Sequence, residues 1–170
     1  MSAVSTKDKN SQIVLEHTIR STELANLIID TLDYIIDDML KISSDTPIYI
    51  SSEGLSYGSK GDAALNLATY KGVLLSKLYE KYKDRLYGLY TYSPITLKAT
   101  AGCAAKNKQT SKTPMIDAFM RETVNNKFHN GLIAGDFINK TTYIHCVDDI
   151  VDSYWALITM IKKEGFIIFF

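Results

Sequence analysis

The chain has 170 residues, 46% hydrophobic and 22% charged with three prolines, a composition that excludes a disordered or low-complexity protein and suits one domain around a single core. Its 19 basic and 19 acidic side chains cancel to a formal net charge of zero, so bulk charge gives no prior for nucleic acid, and any attraction to phosphate has to come from local clustering. Cys103 and Cys146 stand far apart and outside any CxxC pair, and His129 and His145 fit no recognised zinc spacing, so neither a disulfide framework nor a zinc knuckle is suggested and reduced intracellular thiols are the better reading.

The first ten residues, Met1 to Asn10, lack the apolar core of a signal peptide, and no apolar run reaches the ~18 residues of a membrane span, so a cytoplasmic protein is expected. Ile13 to Ile19 reads as a short strand. Ser21 or Thr22 then caps an amphipathic helix with Leu24, Leu27, Ile28, Leu32, Ile35 and Met39 on one face and Asp30, Asp33 and Asp37 on the solvated side. Pro47 opens a buried strand, Ile48-Tyr49-Ile50, with Glu53 just past its end. A glycine-rich stretch from Gly54 to Gly61 follows; its Ser59-Lys60-Gly61 lacks the GK[ST] ending of a nucleotide-binding P-loop. A second helix is predicted from Ala64, Leu67, Ala68, Leu74, Leu75, Leu78 and Tyr82.

Leu86 to Tyr92 has strand composition, and Ser93-Pro94 interrupts it before a further strand at Ile95-Thr96-Leu97. A basic polar loop comes next. Thr113-Pro114 then starts a helix continued by Met115, Ile116, Phe119, Met120 and Val124. Gly131 to Asn139 reads as loop and Tyr143 to Val147 as short extended chain. Asp148 or Asp149 opens a last helix carrying Ile150, Val151, Tyr154, Leu157, Ile158 and Ile161, with Trp155 as core. Phe166 to Phe170 is open among a last strand, a partner contact and a gene-end artefact. Strands alternating with helices make the chain α/β.

Three carboxylates fall at element ends, where a scaffold presents side chains to a cleft rather than burying them: Glu53 after a strand, and Asp149 and Asp152 in a first helical turn. Residues three apart share a helix face, and two like charges so placed repel unless a cation lies between them. A divalent metal is one reading; plain complementation of the helix dipole is the other.

The ordered set Ile48 to Gly54, ending in Glu53, then Leu97-Lys98 with Gly102, then Asp149-Ile150-Val151-Asp152, resembles successive motifs of RuvC-like Holliday-junction resolvases, of phage or viral type. In that family a strand ends in a glutamate, a later strand leads into a lysine and a glycine-containing loop, and the last helix begins with a DxxD pair. The likeness runs from about Ile13 to about Ile161. Lys112 ahead of the helix at Met115 also resembles the family's pattern, with a longer loop here.

The resemblance implies a ribonuclease-H-like fold, a mixed sheet flanked by helices, and a magnesium-dependent endonuclease (manganese as a substitute) that nicks branched DNA in recombination and repair. Glu53, Asp149 and Asp152 would hold the metal, and Lys98 would hold the scissile phosphate. Lys60, Lys106, Lys108 and Lys112, with Lys98, are the expected DNA-binding cations, a solvated loop being the alternative, and Tyr57 between Gly54 and Gly58 is read either as stacking on an unpaired base or as packing. A homodimer is expected because a four-way junction needs two symmetric cuts. The host cytoplasm is the expected location of a viral member.

Family members carry a first catalytic aspartate on an N-terminal strand, and Met1 to Ser5 resembles the turn just after it, so the N-terminal strands are expected to be missing or incomplete. Asp8, in a Lys-Asp-Lys-Asn turn without a preceding strand, is a poor substitute. Two alternatives follow: a junction-binding protein with impaired catalysis, and another ribonuclease-H-type nuclease.

Overall fold

The computed structural model describes residues 6–55, 61–103, 113–124, 130–132 and 147–166. They form a mostly helical α/β structure with two parallel strands, and the chain divides into two compact units.

The first unit is built on α1 (Thr6–Asp33) and α2 (Asp62–Tyr82), which pack on each other. Ser21, Ala25 and Ile29 are buried at four-residue spacing along α1, as are Leu78 and Tyr82 on α2, so each helix buries one narrow stripe. At its C-terminus α1 loosens into a π-helical turn, Tyr34–Met39, closed by Leu40 N–H donating to the Ile35 carbonyl. Lys41 follows in the left-handed region at φ 50°.

The predicted strand from Ile13 to Ile19 is instead the middle of α1. Its β-branched residues carry strand propensity, but no glycine or proline interrupts the chain from Thr6 to Thr46, so nothing ends a helix there. Ser21, read as a cap, lies inside the helix and is buried, and the hydroxyls of Thr18 and Thr22 donate to the carbonyls four residues back. Ile13, Val14, Leu15 and Ile19 are all about half exposed, where a half-buried strand would have hidden alternate residues. Asp8 likewise sits in helical backbone rather than in a turn.

Strand β1 (Ile48–Glu53) and strand β2 (Leu86–Tyr92) lie side by side. Ile48 N–H donates to the Arg85 carbonyl at 2.7 Å and Gly54 N–H to the Tyr92 carbonyl at 2.6 Å, so the register advances in the same direction on both strands. With α2 between them in sequence, the strands have β-α-β connectivity. Glu53 is the last residue of β1 rather than one beyond it.

The second unit takes β1 from Ile50, the chain from Leu89 onward, and three helices: α3 (Pro94–Thr100), α4 (Thr113–Thr123) and α5 (Val147–Glu164). Its core is Leu97, Phe119, Val147, Val151 and Trp155, all almost completely buried, with Leu132 beside them. Helix α5 packs on both α3 and α4. Trp155, expected in the core, is there, and its indole Nε1–H donates to the Met115 carbonyl at 3.2 Å. The Tyr154 ring stands edge-on to Phe119 at 5.0 Å and to Trp155 at 5.2 Å.

The predicted strand at Ile95-Thr96-Leu97 is also helix. Ser93-Pro94 does not break a strand there; it starts α3. Ser93 has extended backbone and its Oγ accepts from Thr96 N–H at 3.3 Å, and Pro94 takes the first-turn position where its missing N–H costs nothing. Of the predicted loop from Gly131 to Asn139, 131–132 belong to a helical turn and the rest lies outside the described residues. Of Tyr143 to Val147, only Val147 is described, and it opens α5.

Candidate functional site

Glu53 ends β1 half-buried, and the backbone immediately after it is tied down. A side chain on Gly54 would meet the Tyr92 carbonyl oxygen at 3.1 Å and the Thr91 methyl at 3.3 Å, so glycine permits the close approach that carries its 2.6 Å bond to Tyr92. Ser52, on the other side of Glu53, lies 3.2 Å from the Thr91 hydroxyl. The carboxylate is therefore presented from a backbone held against the C-terminal end of β2.

Lys98 is half-buried in α3, not at a strand end. Its backbone is fixed from both sides. Ser93 caps the start, and at the end Gly102, at φ 72°, lets its own N–H reach the Ala99 carbonyl at 3.0 Å while Cys103 N–H reaches the Lys98 carbonyl at 2.8 Å. This paired closure needs a left-handed residue, which glycine adopts without strain. Cys103 Sγ donates to the Pro114 carbonyl at 3.1 Å, linking the end of α3 to the start of α4.

Asp149 and Asp152 occupy the start of α5 as expected, but they do not share an environment. Asp149 is exposed in the first turn, whereas Asp152, one turn on, is only 7% exposed beside the buried Val151 and Trp155. Of the three carboxylates, Asp149 is exposed, Glu53 half-buried and Asp152 buried. A spacing of three leaves two helical positions about 60° apart, and the boundary between solvent and core falls between them.

Glu53, Lys98, Asp149 and Asp152 all belong to the second unit. Among the described residues, no three histidine, cysteine, aspartate or glutamate side chains converge closely enough to hold a metal ion. Tyr57, Lys60, Lys106, Lys108 and Lys112 lie outside the described residues, as do His129, His145 and Cys146. No helix among the described residues is long and apolar enough to cross a membrane.

Several polar residues that the sequence reading passed over organise this unit. Thr159, fully buried on α5, donates from Oγ1 to Thr100 Oγ1 on α3 at 2.9 Å. Tyr92 donates to Glu164 at 3.2 Å with Lys163 over its ring, and burial followed by that bond pushes its phenol up to about 12. The Tyr154 phenol is likewise pushed up to about 12, by burial first and then by the Glu122 carboxylate. Threonines at helical spacing carry no mark that distinguishes a buried hydroxyl from an exposed one. No protein-family model, curated protein or solved structure matches this chain.

Proposed function

We propose that the chain is a metal-dependent endonuclease of the RuvC-like kind, with a ribonuclease-H-like fold, that nicks branched DNA by phosphodiester hydrolysis. The observation that carries the reading is the grouping of Glu53, Lys98, Asp149 and Asp152 in one compact unit, in the order of the family's motifs. Glu53 stands at the carboxyl end of a parallel strand, the end at which open α/β sheets bind their ligands.

The donor chemistry suits magnesium, which takes hard oxygen ligands and keeps several waters, so two or three carboxylates suffice. When bound, such an ion lowers the pKa of an attacking water and offsets charge on the leaving oxygen. Half-buried Glu53 and exposed Asp149 would supply carboxylates, and Asp152 a carboxylate from a drier setting where its charge acts over less screening. Convergence requires these side chains to rotate toward one another, with the capped backbones of β1 and α3 keeping Glu53 and Lys98 in place. Lys98, a compact cation, would hold a phosphate oxygen beside them. Lys60, Lys106, Lys108 and Lys112 would follow the DNA backbone, Tyr57 would stack on an unpaired base at the branch, and a two-fold dimer would bring two such sites to one junction.

Cleavage of a synthetic four-way junction in magnesium, set against linear duplex and against Glu53→Gln, tests the reading. Nicks near the branch that vanish in the variant support it. Absence of magnesium-dependent cleavage on branched DNA would sink it.

A further inference from the structure

We infer that Thr159 is a positioning residue for the proposed phosphodiester chemistry, its buried hydroxyl pinning α3 along α5 and thereby holding Lys98 in place relative to Asp149 and Asp152. The inference rests on the functional reading above.

Thr159 is fully buried, and its Oγ1 donates to Thr100 Oγ1 at 2.9 Å; the Thr100 hydroxyl in turn donates to the Thr96 carbonyl at 3.1 Å. Thr96 N–H is held by the Ser93 cap, so the hydrogen bonds run from α5 through α3 to its first turn. Helix α3 packs on α5 beside an apolar core that includes Leu97, Val151, Trp155 and Ala156. Apolar burial is non-directional and constrains sliding only through side-chain packing. A hydrogen bond weakens steeply with distance and angle, so one such bond in an apolar seam adds a directional constraint on register.

Register at Thr100 is register at Lys98. Helix α3 has only seven residues and is closed by Ser93 at one end and by the Gly102 turn at the other, so it moves as one piece. On α5, Thr159 lies two turns beyond Asp152, about 10 Å along the axis and on nearly the same face. Thr159 touches no reacting atom in this scheme; it acts through the two helices that carry the acidic and basic groups.

Thr159→Val keeps the side-chain shape and removes the donor, while Thr100 keeps its bond to Thr96, so the fold has little reason to fail. The test compares Thr159→Val, Thr159→Ser, Thr100→Val and the double valine variant in junction cleavage at saturating magnesium, alongside thermal melting. Thr159→Val is expected to lower kcat about 10-fold or more with KM and melting near wild type, because small misplacements of catalytic groups act on turnover. Thr159→Ser restores kcat, and the double variant is no worse than either single one, since both remove the same bond. An unchanged kcat in Thr159→Val, a loss that serine does not rescue, or losses that add in the double variant would overturn the inference. If the wild-type chain cleaves no junction, the functional reading fails on its own. The positioning claim is then read from the NMR signal of 13C-methylated Lys98, which Thr159→Val should shift and Thr159→Ser should not. A signal unchanged by Thr159→Val overturns it.

Discussion

The Tyr82 hydroxyl donates to Asp33 Oδ1 at 2.8 Å while Lys81 Nζ lies 2.6 Å from Asp33 Oδ2, so one carboxylate at the end of α1 gathers two partners from the last turn of α2. Burial pushes the Asp33 carboxyl up, but the hydrogen bonds from Lys81 and Tyr82 and the positive charges of Lys81 and Arg85 outweigh it, leaving the carboxyl below its ordinary value. A depressed carboxyl stabilises the fold above the unfolded value of about 4 and loses that contribution as pH falls through the lower folded value. Asp33→Asn should therefore cost roughly 1 kcal/mol at neutral pH, a modest figure because the pair is partly exposed. Chemical denaturation of both proteins across the acid range checks this. The gap between them should close toward low pH, and a gap that stays constant would contradict the assignment.

At the alkaline end the signs reverse. The phenols of Tyr92 and Tyr154 are pushed up to about 12, by burial first and then by Glu164 and Glu122 respectively, so the folded chain holds their protons longer than the unfolded one. That stabilisation is present below the unfolded value of about 10 and is lost as pH rises through 12. Tyr154→Phe should flatten the alkaline fall in stability. Ultraviolet titration of the folded protein should show Tyr92 and Tyr154 ionising late, together with Tyr70 and Tyr82, whose phenols burial also pushes up; a single step near pH 10 for every tyrosine would be the wrong result.

Trp155 is the only tryptophan, so its fluorescence reports directly on the core between α4 and α5. Trp155→Phe keeps most of the apolar volume but leaves the Met115 carbonyl without its indole donor, an expected loss of about 1–3 kcal/mol. Trp155→Ala adds a cavity and should cost about 3–5 kcal/mol. Calorimetric melting that barely moves in the alanine variant would show that the core does not depend on this residue.

The elements legible in the sequence were those with both a period and a boundary. Strand β1 had Pro47 before it, β2 ran from Leu86 to its stop at Ser93, and α5 combined acidic first-turn residues with apolar residues at helical spacing from Ile150 to Ile161. The two misreadings share a cause. At Ile13 to Ile19 and at Ile95 to Leu97, β-branched residues suggested strands, while the deciding information lay in the flanks: an uninterrupted chain after Ile19, and a Ser-Pro start before Ile95. The order of the acidic residues was legible; their exposure was not. Spacing placed Asp149 and Asp152 near one face, but which side of that face meets the core depends on how α3 and α4 pack against α5.

The lysine segment makes a prediction that does not depend on catalysis. If Lys106, Lys108 and Lys112 contact DNA backbone, replacing all three should flatten the dependence of log affinity on log salt by roughly one unit per lost phosphate contact. Fluorescence anisotropy with a labelled junction between low and moderate salt measures that slope. The same slope in both proteins would remove these lysines from the interface.

The unequal burial of the two aspartates separates function from stability in a single comparison. Asp149 is exposed, so Asp149→Asn should leave stability within about 0.5 kcal/mol of wild type, as surface changes usually do. Asp152 is buried beside Val151 and Trp155, and an amide there brings two donors where a carboxylate offered only acceptors. Asp152→Asn should therefore cost about 1–3 kcal/mol. If both residues hold the proposed magnesium, both variants should lose metal affinity by calorimetry, and so should Glu53→Gln, next to the Gly54 N–H bond to the Tyr92 carbonyl. The pattern expected is loss of metal binding in all three, with Asp152→Asn less stable than Asp149→Asn. Unchanged metal affinity in all three single variants would exclude this site, and a stability loss in Asp149→Asn as large as that in Asp152→Asn would show that the first turn of α5 is packed, not presented to solvent.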